Sequence, residues 1–323
     1  MSVHEDVFDR IRTAVAEVSR RAKFVRLIDT QVAPYAASLA AAGIPTPTYD
    51  TAHHAHGSVA DTAAFQLALD TVNFGSGYFP HLRKRPGMSG YFTVATSLKE
   101  RWERHGPLSG AELRAIDTSD CAILFGQAGN EGPAQELMAL FAQALNDLGA
   151  WLGRRYDDDP LGPIEDANQS AARLVELVSE MPLFRDVSLY EGTEVPLYKR
   201  AQILVTDLTI AFDGQGPGSF RDLDRLTIFA DNLVPHVLRV DGLLVYDPAL
   251  LAHIERGELI PAGSTEEIEI RAIAIHAVER IAEELHASGV PVTARELDYL
   301  LWNRGLGEEY KTLSRHRTRT VYY

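Results

Sequence analysis

Two aspartates lie where carboxylates are costly. Asp231 sits within the apolar run 226–238, and helical spacing would give it Ile228, Val234 and Leu238 as neighbours. Asp207 sits within 202–212, with Ile203, Leu204, Ile210 and Ala211 at helical offsets. A carboxylate on such a face gives up water, and partners or a proton must compensate. Carboxylates in such settings are enriched at catalytic sites, while a buried cap or an internal salt bridge is the competing reading for each.

Arg271 falls on the apolar stripe Ile268, Ile275, Val278, Ala282 and Leu285. A guanidinium keeps its charge, so Arg271 needs an anion: Glu267, a buried aspartate or a ligand phosphate. Lys199-Arg200 and His316-Arg317-Thr318-Arg319 are local basic islands, readable as solvated surface or as a phosphate pocket. In the stretch 72–80, Phe74, Tyr78 and Phe79 could stack on a flat heterocycle and Asn73 could read its edge; an aromatic packing corner is the alternative. His53-His54-Ala55-His56 lacks a second set of ligands, so no metal is expected.

The elements that would position these groups read mainly as helices. Glu131–Leu152 carries a stripe of Leu137, Leu140, Phe141, Leu145, Leu148 and Leu152, with Pro133 suited to its first turn. Thr265–His286 follows Ser264, a good N-cap. Helical patterns also cover Glu5–Arg21, Asp61–Val72, Ala111–Asp117, Glu165–Met181, Ala201–Phe212 and Leu223–Val240. Strand signals are confined to Tyr91–Ala95 and Leu243–Tyr246. The expectation is a mostly α fold in a single globular unit, residues 1–323, with a lobe seam near 154–164 and a turn-rich hinge over Asp213–Gly218.

The whole-chain balance narrows the function. Net charge is −14 over 323 residues, the opposite of what backbone-driven nucleic-acid binding needs, so no polymeric nucleic acid is expected as a partner. The lone Cys121 forms no intrachain disulfide and no cysteine zinc site. The charged stretch from Met1 to Arg12 does not read as a signal peptide, and no apolar run reaches the roughly 18 residues of a membrane span. A cytoplasmic location without a membrane partner is expected.

Several longer blocks resemble the queuosine salvage protein family. They are Tyr198 to Leu204, Phe229 to Pro235, Glu267 to Ala272, Val72-Asn73-Phe74, and the tail with Leu297-Asp298, Leu301-Trp302-Asn303 and His316 to Thr320. They keep family order from about residue 70 onward, while the first 60 residues and the stretch 83–190 add little. Eukaryotic members run closer to Asp-Tyr-Arg-Val-Pro-Gln where this chain has Asp231-Asn232-Leu233-Val234-Pro235-His236, and carry bulky aromatics where it has Gly75-Ser76-Gly77.

The resemblance implies a helical DNA-glycosylase-like fold, two lobes around a cleft, without the DNA-binding hairpin. It implies hydrolysis of the N-glycosidic bond of queuosine 5′-monophosphate, giving queuine and ribose 5-phosphate with no cofactor. Asp231 would be catalytic. Asp207, Asn73, Phe74, Tyr78, Lys199, Asn232, His236, Arg271 and Arg319 would bind substrate, with Lys199 leading on the phosphate. A DNA or RNA base glycosylase, or a non-catalytic nucleotide-binding protein, are the alternatives.

Overall fold

Helices carry most of the chain, and many begin where the sequence supplies a cap. The computed structural model describes residues 5–323; Met1 to His4, the start of the charged amino-terminal stretch, lie outside the described residues. Asp6, Ser109, Asp117 and Thr293 each close a capping box, and Ser58, Ser89, Ser170 and Ser264 each cap a helix with the side-chain oxygen. None of the described helices is long and apolar enough to cross a membrane.

The chain divides into two compact units. The first comprises Met1–Pro47, Asp186–Lys199 and Asp224–Arg319. Its centre is the Thr265–Ala287 helix, which packs against the helices Val7–Arg21, Asp29–Ala42, Val234–Val240 and Ala294–Arg304. Ile270, Ile273, Ala274, Ala277 and Ile281 are wholly buried there. Val25–Leu27 pairs antiparallel with Leu244–Tyr246, in register Val25 opposite Tyr246. Val187–Tyr190 and Thr193–Pro196 form a hairpin, turned by Glu191 (φ 45°) and Gly192 (φ 85°) in the left-handed geometry that two-residue hairpins favour.

Buried Glu269 ties this unit together. Its carboxylate accepts the backbone N–H groups of Lys23, Phe24 and Val25 and the Tyr190 hydroxyl. The chain leaving the Val7–Arg21 helix is thereby fixed on the central helix, with its turning backbone donors satisfied.

The second unit comprises Thr48–Arg185, Arg200–Leu223 and Thr320–Tyr323. Its centre is the Pro133–Tyr156 helix, packed by Val59–Thr71, Gly110–Ala115, Thr118–Leu124 and Gly162–Asp166. Of the expected stripe, Leu137, Phe141, Leu145, Leu148 and Leu152 are buried and Leu140 is half-buried, and Pro133 occupies the first turn. Residues 154–164 lie inside this unit, where Asp157 and Asp158 take left-handed backbone after the helix end and Arg114 grips the Asp158 carboxylate. Gly75 (φ 109°) needs its missing side chain, because a Cβ would stand 2.8 Å from Leu137 Cδ1.

Three element readings are corrected. Tyr91–Ala95 is not a strand; it lies in the helix Gly90–His105, which Ser89 caps through Phe92 N. The cap and the helical context outweigh a run of β-favouring types. Leu223–Val240 is not one helix: a 3₁₀ turn at Leu223–Arg225 leads into non-helical chain, and the helix is only Val234–Val240. Pro235 sits in its first turn, where a missing N–H costs nothing. Glu165–Met181 is broken as well, into helices ending at Asp166 and starting at Ala171. The helix over Asp207, Lys199–Ala211, forms as expected.

Candidate active site

In the first unit Asp231 lies just ahead of the Val234–Val240 helix, not within a helix. It is half-buried. Its Oδ1 accepts the N–H of Leu233 at 2.7 Å and of Val234 at 3.3 Å. These donors would otherwise be orphans of the helix start, so the carboxylate is both satisfied on one oxygen and fixed in direction. Oδ2 has no hydrogen bond among the described residues. Pro235 in the first turn is a helix-start cue, and it could have been read from the sequence.

Arg271 holds the residue before it. Its Nε donates to Ala230 O at 2.9 Å. Its two terminal nitrogens form a bidentate pair with Asp186, at 3.0 and 2.6 Å, and one reaches Glu267 at 3.4 Å. Arg271 is wholly buried. The anion that the sequence demanded is therefore supplied by the protein: Glu267, one of the candidates, together with Asp186, which the sequence did not single out.

Asp186 has a second duty. Its carboxylate accepts Lys199 N at 3.1 Å, and its carbonyl accepts Leu197 N at 2.9 Å and Tyr198 N at 3.3 Å. Tyr198 takes a left-handed backbone (φ 48°), uncommon for a bulky residue and a mark of a constrained site. The Lys199 side chain is buried, 6% exposed. One guanidinium–carboxylate pair thus braces the Asp231 segment and the Lys199 turn together.

Asp298 belongs to the same unit. Its Oδ1 accepts Phe229 N at 2.9 Å. Burial pushes its carboxyl up to about 7; the Phe229 bond and the Lys199 charge oppose this, and the Asp231 charge adds to it. The other expected residues of this unit sit nearby in sequence or in the tail. Asn232 is buried and donates to His316 O at 3.4 Å. His236 has both ring nitrogens engaged, Nε2 with Tyr310 O and Nδ1 with Arg239, and burial lowers it to about 4. Arg319 is half-buried beside Thr318, whose buried Oγ1 has no hydrogen-bond partner among the described residues.

Asp207, Asn73, Phe74 and Tyr78 lie in the second unit. Asp207 is half-buried, and its charge raises the phenols of Tyr49 and Tyr91, after burial the largest influence on each. Asn73 donates to Asp70 Oδ1 at 3.2 Å. Gln66 donates to the Tyr49 hydroxyl at 3.1 Å, and His54 Nε2 meets the Tyr91 hydroxyl at 2.8 Å. This acidic and phenolic group was not legible as a set. Phe74 and Tyr78 are buried: Phe74 packs edge-on to Phe141 with the Arg200 guanidinium 4.7 Å from its centroid, and Tyr78 donates to Glu136 at 2.9 Å.

Arg200 is corrected from the basic island. Its guanidinium lies between the rings of Phe74 and Phe184 and donates to the carbonyls of Asp70, Thr71 and Leu183. It caps the end of the Val59–Thr71 helix, where a cation suits the carbonyls. His53, likewise, pairs with Thr96 at 2.8 Å.

The sequence profile described as queuosine salvage protein matches residues 52–323. The chain belongs to the queuosine salvage protein family. It is 39% identical over 318 residues to the queuosine 5′-phosphate N-glycosylase/hydrolase of Sphaerobacter thermophilus, covering 97% of each chain. It is 41% identical over 264 residues to the protein of that name from Dictyostelium discoideum, covering 81% of this chain and 78% of the other. The Bos taurus relative of the same name is 32% identical over 246 residues, covering 73% of this chain and 72% of the other. The blocks through which the chain resembles the queuosine salvage family now have physical partners. In Glu267-Ile268-Glu269-Ile270-Arg271, the Arg271 guanidinium joins Glu267 and Asp186, and Glu269 anchors residues 23–25.

Proposed function

We propose that this protein hydrolyses the N-glycosidic bond of queuosine 5′-monophosphate, releasing queuine and ribose 5-phosphate in the cytoplasm. The names of its relatives support the substrate class. The single observation that carries the chemistry is the held carboxylate of Asp231, with Oδ1 bound by two backbone N–H groups. Kinship with the helix-rich DNA glycosylases is part of this reading, which the mostly helical fold supports.

As the bond from the anomeric carbon to the base breaks, its electron pair leaves with the base and the sugar becomes oxocarbenium-like. Asp231, through Oδ2, stabilises that positive charge or directs the attacking water. Water then adds its oxygen to the anomeric carbon, and its released proton balances the anionic base. Queuine is a 7-deazapurine and has no N7 to protonate. Stabilisation of the sugar cation therefore carries more of the barrier here than leaving-group protonation.

Lys199, Arg319 and the Thr318 hydroxyl are the groups proposed for the 5′-phosphate, which suits cations and a buried donor. Asp207 and Asn73 bind base or sugar, with Phe74 and Tyr78 shaping the aromatic wall. Asn232 and His236 support the Asp231 block, and Arg271 acts on it through the Ala230 carbonyl. The partner is one small nucleotide, in keeping with a net charge of −14. The test is release of free queuine from queuosine 5′-monophosphate by purified protein. Release at catalytic enzyme concentrations is expected, and none at high enzyme concentration overturns the proposal.

A further inference from the structure

The Ala294–Arg304 helix presents Asp298 to the chain just ahead of Asp231. Asp298 is 6% exposed, and its Oδ1 accepts the backbone N–H of Phe229, two residues before Asp231. Asp231 and Lys199 are the charged groups that act on its carboxyl. Burying a carboxylate is costly, and a single backbone bond does not offset that cost.

We infer that Asp298 is a positioning residue for glycosidic cleavage: it holds the Phe229–Asp231 segment by the Phe229 N–H and, when ionised, adds a second negative charge beside Asp231. The inference rests on Asp231 as the catalytic carboxylate. Ionised, Asp298 makes a charge-assisted bond to Phe229, stronger than the neutral one. The same charge favours a cationic sugar in a site of low dielectric. Titration at about 7 places both effects within the working pH range.

Several charged groups on the packed elements are otherwise engaged, while Arg295, on the same helix as Asp298, is largely buried and its Nε has no hydrogen-bond partner among the described residues. On the Val234–Val240 helix, which packs against the Asp298 helix, His236 is neutral at working pH and Arg239 bonds His236 and Ser314 O. On the Thr265–Ala287 helix, also packed against it, Glu267 and Arg271 pair with each other, and Arg271 pairs with Asp186. On its own helix Glu296 caps Thr293.

The experiment is the pH dependence of kcat for queuosine 5′-monophosphate between about pH 5.5 and 8.5, across the ordinary range of a tuned carboxyl. For the parent protein, kcat rises through about pH 7. Asp298→Asn, which can still accept the Phe229 N–H, gives a flat profile, with kcat about tenfold below the parent at pH 8 and close to it at pH 6. Asp298→Glu keeps a rising limb with a moved midpoint. A flat parent profile, or an Asp298→Asn profile like the parent's, overturns the inference. If Asp298→Asn does not fold, the parent and Asp298→Glu profiles decide it. The underlying reading fails separately: near-normal turnover by Asp231→Asn removes Asp231 as the catalytic group, whatever Asp298 does.

Discussion

Arg271 and Asp186 form a bidentate ion pair with no exposure of the guanidinium, and each partner also grips backbone: Arg271 the carbonyl of Ala230, Asp186 the N–H of Lys199. The pair is a brace between two blocks of the proposed site. Its removal should therefore be felt first as lost stability. Arg271→Ala leaves the buried carboxylate of Asp186 without its guanidinium partner, and should cost about 3–5 kcal/mol in urea unfolding. Arg271→Lys should recover little, because an ammonium cannot make the planar two-point contact. A loss below about 1 kcal/mol for Arg271→Ala, the scale of a surface pair, would argue against the brace.

Asp231 separates chemistry from capping. Asp231→Asn keeps an oxygen for Leu233 and Val234, and Asn is as good a cap as Asp. It should lower kcat by at least about two orders of magnitude with little change in Tm. Asp231→Ala should lose the same activity and in addition about 1 kcal/mol of stability. Thermal unfolding beside turnover measures both, and equal Tm values for the two variants would show that the cap contributes nothing.

Lys199 should report on the phosphate. Lys199→Ala is expected to raise KM for the 5′-monophosphate at least tenfold while leaving slow cleavage of the unphosphorylated nucleoside little changed. The comparison of kcat/KM on the two substrates is the measurement, since the Lys199 contact to the phosphate exists with the monophosphate and not with the nucleoside. Equal losses on both would take Lys199 off the phosphate.

Asp298 also predicts a stability profile. Its folded carboxyl titrates at about 7 against an ordinary 3.8, so between those values the folded state keeps a proton that the unfolded chain has released. Stability from this group falls as pH rises through that window and is level above it. Buried His316 and His236, lowered to about 3 and about 4, act with the opposite sign below their ordinary 6.5. The difference between Asp298→Asn and the parent isolates the carboxyl: the Tm of the variant relative to the parent should climb up to about pH 7 and then hold. A difference that does not vary with pH would mean that Asp298 is not titrating there.

Arg200 can be tested as structure. Arg200→Ala removes a guanidinium held by two rings and three carbonyls, and should destabilise by roughly 2–4 kcal/mol, in line with losing a buried hydrogen-bonded charge. Arg200→Lys should recover only part of this, for want of a planar group to stack between Phe74 and Phe184. Hydrogen exchange at the end of the Val59–Thr71 helix is the local readout.

What could be read from the sequence followed the range over which its causes act. The Pro133–Tyr156 and Thr265–Ala287 helices were legible because stripe, cap and first-turn proline are all local. So was the need of Arg271 for an anion, since a buried guanidinium admits no other outcome. Asp186 was not, because it lies 85 residues away and only folding brings it there. The acidic and phenolic group around Asp207 failed for the same reason: Tyr49, Tyr91 and Asp207 come from three separate stretches. Asp231 failed differently. Its apolar neighbours imitate a helix, and the local cue against one, Pro235 four residues on, was outweighed by the period. Arg200 shows that adjacency misleads too, since Lys199 and Arg200 share an island in sequence and have different duties.

The cap at Asp231 carries one more implication. The proposed reactive side chain is also a stay of the fold, so selection acts on it through two channels. A lineage that no longer needed the reaction would still be penalised for most replacements there, and Asn would be among the few quiet exits. An aspartate retained at this position is therefore a weak sign of retained activity, whereas an asparagine there, with the capping bonds intact, would mark an enzyme that has kept its shape and lost its work.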